Sequence, residues 1–136
     1  MTYLLDTNVL SELGRPRPSQ QVVDWFQATP AVELYLSVVV IGELRNGAER
    51  VRGRDLARSA KLEAWIAGVR TEYRDRILPV TVPIAEAWGR LRARATLPVV
   101  DTFLVATALV HGLVVVSRDV STAERVGVPW LNPWAV

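Results

Sequence analysis

The sequence predicts an α/β fold with a central, mostly parallel sheet of four to five strands, and three observations carry that prediction. Short runs rich in valine, leucine and isoleucine recur between longer segments of helical spacing, the alternation that builds a parallel sheet. Those runs are continuously apolar, so helices must cover both faces of the sheet. The length, 136 residues, suits a single domain over residues 1–136 with one core of useful size.

In chain order, Thr2 to Leu5 reads as a buried strand and residues 7 to 13 as a short helix stopped by Gly14 and the Arg15-Pro16-Arg17-Pro18 turn. Gln20 to Gln27 has helical spacing through Val22, Val23 and Phe26. Leu34 to Leu36 is a second strand. A helix from Val38 or Val39 to about Arg52 sets Leu44, Ala48 and Val51 on one face, and Gly53 ends it. A further helix, about Asp55 to Tyr73, has apolar positions Leu56, Leu62, Ile66 and Val69. Ile77 to Val80 is a third strand, and Pro83 opens a helix through about Arg94, proline being pre-shaped for a first turn. Val100 to His111 is a helix closed by Gly112 as its cap. Leu113 to Ser117 is a fourth strand and Trp130 to Leu131 a short fifth. No repeat, linker or low-complexity tract interrupts this order.

Composition narrows the function. Half the residues are apolar and 22% are charged, which excludes a disordered chain. The longest apolar stretches are too short to span a bilayer, so no membrane partner is expected. The start, MTYLLDTNVL, lacks a basic n-region and a cleavage site, which makes a cytoplasmic protein the expectation. The absence of cysteine excludes a disulfide framework, a thiolate nucleophile and a cysteine-based zinc site. Fifteen of the sixteen basic residues are arginine, grouped at Arg50, Arg52, Arg54 and Arg58 and at Arg90, Arg92 and Arg94. Such forks match phosphate geometry; they equally make a solvated helix face interleaved with Glu49, Asp55 and Glu63.

Four carboxylates stand where apolar segments give way to polar ones. Asp6 and Asp119 are each the first acid after a strand, Asp101 begins an apolar helix, and Glu43 follows SVVVIG where a helix turns into the interior. Ligand sites of open parallel sheets lie beyond the carboxyl ends of the strands, so these places meet at one edge. Like charges about 4 Å apart at an effective dielectric near 20 cost on the order of 4 kcal/mol per pair. A converged quartet must therefore protonate or bind cations, and an all-oxygen donor set suits Mg²⁺ or Mn²⁺. Each acid also has a purely structural reading: Asp6 or Asn8 and Asp101 as helix N-caps, Glu43 as a first-turn surface acid, Asp119 as a turn residue.

The segments LLDTNVLSEL (Leu4 to Leu13), SVVVIGELRNGAE (Ser37 to Glu49), LPVVDTFLVATALVHG (Leu97 to Gly112), LVVVSRD (Leu113 to Asp119) and GVPWLNPW (Gly127 to Trp134) resemble PIN domains, specifically the VapC-type toxins of bacterial toxin-antitoxin pairs. Taken in order they span the chain except for its middle helices. The resemblance implies a PIN-like α/β/α sandwich and a Mg²⁺- or Mn²⁺-dependent endoribonuclease. It also implies the toxin role in a type II toxin-antitoxin system, with a cognate antitoxin, an RNA substrate and a homodimer. Carried over by position, the metal-binding and catalytic acids are Asp6, Glu43, Asp101 and Asp119. Asn8, Thr102 and Ser117 match small polar positions that orient them. Relatives commonly place an Asp-Phe pair three residues after the fourth acid; Ser121, Thr122 and Ala123 stand there instead, so Asp119 ranks below the other three.

The chemistry implied is hydrolysis of a phosphodiester by a metal-activated water, with no histidine relay. His111, the only histidine, closes an apolar helix, where it meets the negative end of the dipole. Phosphoaspartyl chemistry would need a lysine at the site, and Lys61, the sole lysine, lies mid-helix; a haloacid-dehalogenase-type phosphatase would want an acid where Asn8 stands. The alternative is a noncatalytic RNA-binding module, which would use the arginines and have no need of rim acids. Among the five tryptophans, most are expected in the core, with Trp130 and Trp134 near a hydrophobic end available to a partner. The antitoxin peptide is expected on a surface containing the first helices, with a basic side chain entering the acidic cup.

Overall fold

The computed structural model describes residues 1–136. β1 (Tyr3–Leu5) leads into α1 (Thr7–Leu13) and α2 (Gln20–Ala28); a 3-10 turn at Ala31–Glu33 precedes β2 (Leu34–Ser37). α3 (Val38–Arg52) and α4 (Leu56–Glu72) follow, then β3 (Ile77–Leu78), α5 (Val82–Arg94), α6 (Val99–His111), β4 (Val114–Val116), α7 (Ser121–Val126) and β5 (Trp130–Leu131). The strands lie in the order β3-β2-β1-β4-β5, and every neighbouring pair is parallel.

This order makes β1 the middle strand and the gap between β1 and β4 the point where the connections reverse direction. Tyr3 registers with Leu34 on one side and Val114 on the other, and Leu5 with Val116. The ladder runs one residue past β1, since the Asp6 amide donates to the Val116 carbonyl at 2.9 Å. Asp6 is thereby fixed at the carboxyl edge of the sheet, where ligand crevices form.

The strands are almost continuously apolar because helices cover both faces of the sheet. Leu4, Leu5, Leu36 and Val116 are fully buried. They join Val9, Val40, Leu44, Ile66, Leu104 and Val105 in one contiguous core of 21 residues. Each such side chain contributes about 1.5–3 kcal/mol by leaving water. A smaller cluster of Ile84, Ala87 and Ala106 glues α5 to α6.

Helix ends follow local chemistry. Ser37 ends β2 and caps α3, its Oγ accepting the Val39 N–H at 3.1 Å. Asp55 caps α4 by accepting from Arg58. Gly112 closes α6 at φ +69°, a left-handed backbone that favours glycine. Several expectations need correction. Asp101 is not the cap of α6: Pro98 is, and Asp101 sits within the first turn. A seventh helix, Ser121–Val126, occupies a stretch that carries no helical signal in the sequence, being one and a half turns long with few apolar residues. None of the five tryptophans is fully buried. Their indoles are too large to enclose in a domain this thin and lie on its seams instead: Trp25 edge-on to Tyr3 and Trp88 stacked on Phe103 with centroids 4.7 Å apart.

Candidate functional site

A polar cleft of about 420 Å³ opens at the carboxyl edge of the sheet, with Asp6, Asn8, Glu43 and Asp101 in its wall. A narrow recess beside it is walled by Asp6, Asp101, Ser117 and Asp119. The four acids anticipated from the sequence therefore line two neighbouring hollows, with Asp6 and Asp101 shared by both.

Asp6 is the most constrained. Its Oδ1 accepts the Thr7 amide at 2.6 Å, and its Oδ2 accepts Ser117 Oγ at 2.7 Å and Asn8 Nδ2 at 3.3 Å. Asp6 thus does cap α1, as its structural reading has it, and still faces the cleft. Asn8 also donates to Ser117 Oγ at 3.2 Å and accepts the Arg118 amide at 3.4 Å, linking the end of β1 to the end of β4. Glu43 lies in the second turn of α3, further along than a first-turn acid, and accepts a short hydrogen bond from Thr7 Oγ1. Thr102 points elsewhere: it is buried and its hydroxyl donates to the Pro98 carbonyl of its own helix. It shapes the first turn that carries Asp101.

Electrostatics records the crowding. Burial pushes the Asp6 carboxyl above its ordinary 3.8, against hydrogen bonds from Ser117 and Thr7 that pull it down, with Asp119 adding to the rise. Asp101 is also raised from 3.8, first by burial and then by Asp6, Asp119 and Glu43. Asp119 moves the other way, lowered by Ser121, whose hydroxyl and amide donate to its Oδ1 at 2.7 and 3.0 Å. No three of these side chains are close enough to make a ready-made cation cage; the acids face a common space instead of clasping one point.

The cleft also holds residues that the sequence did not assign to it. Glu12, Arg15, Arg118 and Trp134 line it, the last expected at a partner surface, whereas neither arginine cluster on the helices does. Within those clusters Arg52 instead pairs with Glu49 and Arg90 with Glu86, and nearby Arg45 pairs with Glu63. Glu12 gave no signal, because a glutamate in an amphipathic helix ordinarily faces water; its burial depends on the turn that follows.

The family model for the PIN domain matches residues 3–128. Toxin FitB of Neisseria gonorrhoeae is 33% identical over 137 residues, covering 96% of this chain and 97% of that protein. VapC ribonuclease Y4jK of Sinorhizobium fredii is 33% identical over 138 residues, covering 96% of each. Among solved structures, the FitAcB crystal structure from Neisseria gonorrhoeae superposes with a TM-score of 0.92 at 30% identity, covering 99% of this chain and 100% of that one.

Proposed function

We propose that this chain, which belongs to the PIN domain family, is a Mg²⁺- or Mn²⁺-dependent endoribonuclease acting as the toxin of a toxin-antitoxin pair. One observation supports this most: two carboxyls of raised pKa, Asp6 and Asp101, share a cleft with Glu43 at the reversal point of a parallel sheet. Proteins keep such mutual repulsion where a bound cation relieves it.

The donor set fits a hard divalent ion. The cleft offers carboxylate oxygens, the chain has no cysteine, and its one histidine is exposed at the far end of α6. Asp6, Glu43 and Asp101 would hold the ion, with Asp119 contributing from the adjoining recess. When bound, such an ion lowers the pKa of a water and neutralises charge that builds on the phosphodiester.

The chain's own groups supply position and a proton acceptor. Ser117 and Asn8 hold one oxygen of Asp6 and the Thr7 amide holds the other. The Thr7 hydroxyl holds Glu43. One of the four carboxylates would accept a proton from the attacking water. The same crowding welcomes a basic side chain of a cognate antitoxin, which would block the cleft by relieving its charge. The chain contains no helix long and apolar enough to cross a membrane; we assign it to the cytoplasm, with its RNA, as a homodimer.

The test is cleavage of an RNA panel by wild type, Asp6→Asn and Asp101→Asn with Mg²⁺, Mn²⁺ or chelator. Each substitution should slow cleavage by about 100-fold or more, and chelator should stop the wild type. Equal activity of the three proteins, or cleavage that survives chelation, overturns the reading. Binding without cleavage would return the chain to a noncatalytic RNA-binding module.

A further inference from the structure

Building on the ribonuclease reading, we infer that Arg15 and Arg118 form a two-point clamp for RNA phosphates across the acidic cleft, positioned by Glu12 and Trp134. An RNA strand approaching Asp6, Glu43 and Asp101 meets like charge on the cleft wall, and a bound ion offsets it only locally. Opposite charge stands at two places on the same wall, Arg15 from the turn after α1 and Arg118 from the segment after β4.

Neither is an unrestrained surface arginine. Arg15 Nη1 lies 3.2 Å from Glu12 Oε1. Glu12 is only 7% exposed, and its Oε2 accepts the Ser19 amide at 2.9 Å. A carboxylate this enclosed is stable only with partners on its oxygens, so Glu12 anchors the turn and one nitrogen of the guanidinium together. A guanidinium has five donors; one contact with Glu12 leaves the rest for phosphate oxygens.

Arg118 is held differently. Its amide donates to Asn8 Oδ1 at 3.4 Å and its carbonyl accepts Asn132 Nδ2 at 3.3 Å, while its guanidinium sits 5.2 Å from the Trp134 ring centroid. A cation–π contact uses none of the guanidinium's N–H donors, which stay available for phosphate oxygens. Both cations are therefore oriented before substrate arrives, which reduces the ordering cost of binding a phosphate.

Steady-state cleavage of a single-stranded RNA oligonucleotide in Mg²⁺, repeated over a salt series, tests the clamp. Arg15→Ala and Arg118→Ala should each raise KM about 5- to 20-fold with kcat within about twofold. Each should also flatten the slope of log(kcat/KM) against log salt by about 0.7, the loss of one phosphate contact. Arg74→Ala removes the same charge from an exposed turn and should change neither value. Glu12→Gln keeps an acceptor for Ser19 but loses the ion pair; it should raise KM partway and add nothing in combination with Arg15→Ala, because it acts through that residue. Unchanged KM and slope in both arginine variants, with the wild type active, overturn the clamp alone, and an additive Glu12 effect removes its positioning role. A wild type that cuts no RNA removes the ribonuclease reading and the clamp with it.

Discussion

Asp6 and Asp101 are both held above the ordinary carboxylate value, but through different balances. At Asp6, burial is opposed by hydrogen bonds from Ser117 and Thr7; at Asp101, burial is reinforced by Asp6, Asp119 and Glu43 with nothing opposing it. For an acid raised in this way the folded state holds the proton more tightly than the unfolded chain. Its stabilising contribution is full below the unfolded value near 3.8 and is lost as pH rises through the folded value. At neutral pH without metal, Asp101 therefore destabilises the fold. Asp101→Asn should raise the melting temperature at pH 7 in chelator by about 3 °C, with the gain fading toward pH 4. Added Mg²⁺ should stabilise the wild type and leave the variant unmoved. Scanning fluorimetry reads both; a variant less stable than wild type at pH 7 in chelator contradicts the charge-crowding account. The acids were legible because each follows an abrupt change from apolar to polar sequence. Glu12 was not, since nothing in SELGRPRPS announces that the turn will fold back to offer the Ser19 amide.

Elements were legible where hydrophobic periodicity is long. α3, α4 and α6 lie within a residue or so of their expected bounds, whereas β3 ends two residues early and α7 was unforeseen. Short elements are fixed by their neighbours: α7 begins where Ser121 donates to Asp119 and ends at Gly127 in a left-handed turn at φ +89°. Gly14 shows a related effect. Its place after α1 reads as a helix stop, yet its φ of −83° suits any residue. What requires glycine is contact: a Cβ there would sit 2.9 Å from Trp65 Cε2 and 3.0 Å from Cζ2. Trp65 packs with Leu10, Leu13 and Phe26 around an apolar groove, so a shift of the ring repacks the seam of α1, α2 and α4. Gly14→Ala should cost about 1–3 kcal/mol by overpacking. Gly53→Ala, at another helix end with φ −75° and open space around it, should be neutral or gain up to about 1 kcal/mol from the unfolded state. Urea denaturation of the pair checks this; equal effects would return Gly14 to a conformational role.

For the whole molecule, the question is where a second copy would sit. The sheet edges are poor candidates, since β3 and β5 are two residues each and leave little backbone to pair. The α5–α6 layer is better. Trp88 stacks on Phe103 and Ile84 packs with Ala106; partners that advance along one helix as they retreat along the other make the pair antiparallel. The start of α5 and the end of α6 therefore lie at the same end of the pair, where Val82, Leu109 and Val110 are 72%, 54% and 42% exposed. Three large aliphatic side chains at one end of a helix pair form an uncovered apolar patch of the sort that marks association. A standard interface takes roughly 800 Å² from each partner, about a tenth of the 7832 Å² surface here, so the patch would be its centre. Leu109→Glu should convert a dimer to a monomer at micromolar concentration, read by light scattering, while a surface change such as Arg74→Glu should not. The buried cluster beneath, Ile84, Ala87 and Ala106, is untouched by the substitution, so the variant should keep its fold and its cleft. A monomeric wild type at that concentration would leave these residues as ordinary exposed aliphatics and remove the dimer from the proposed assembly.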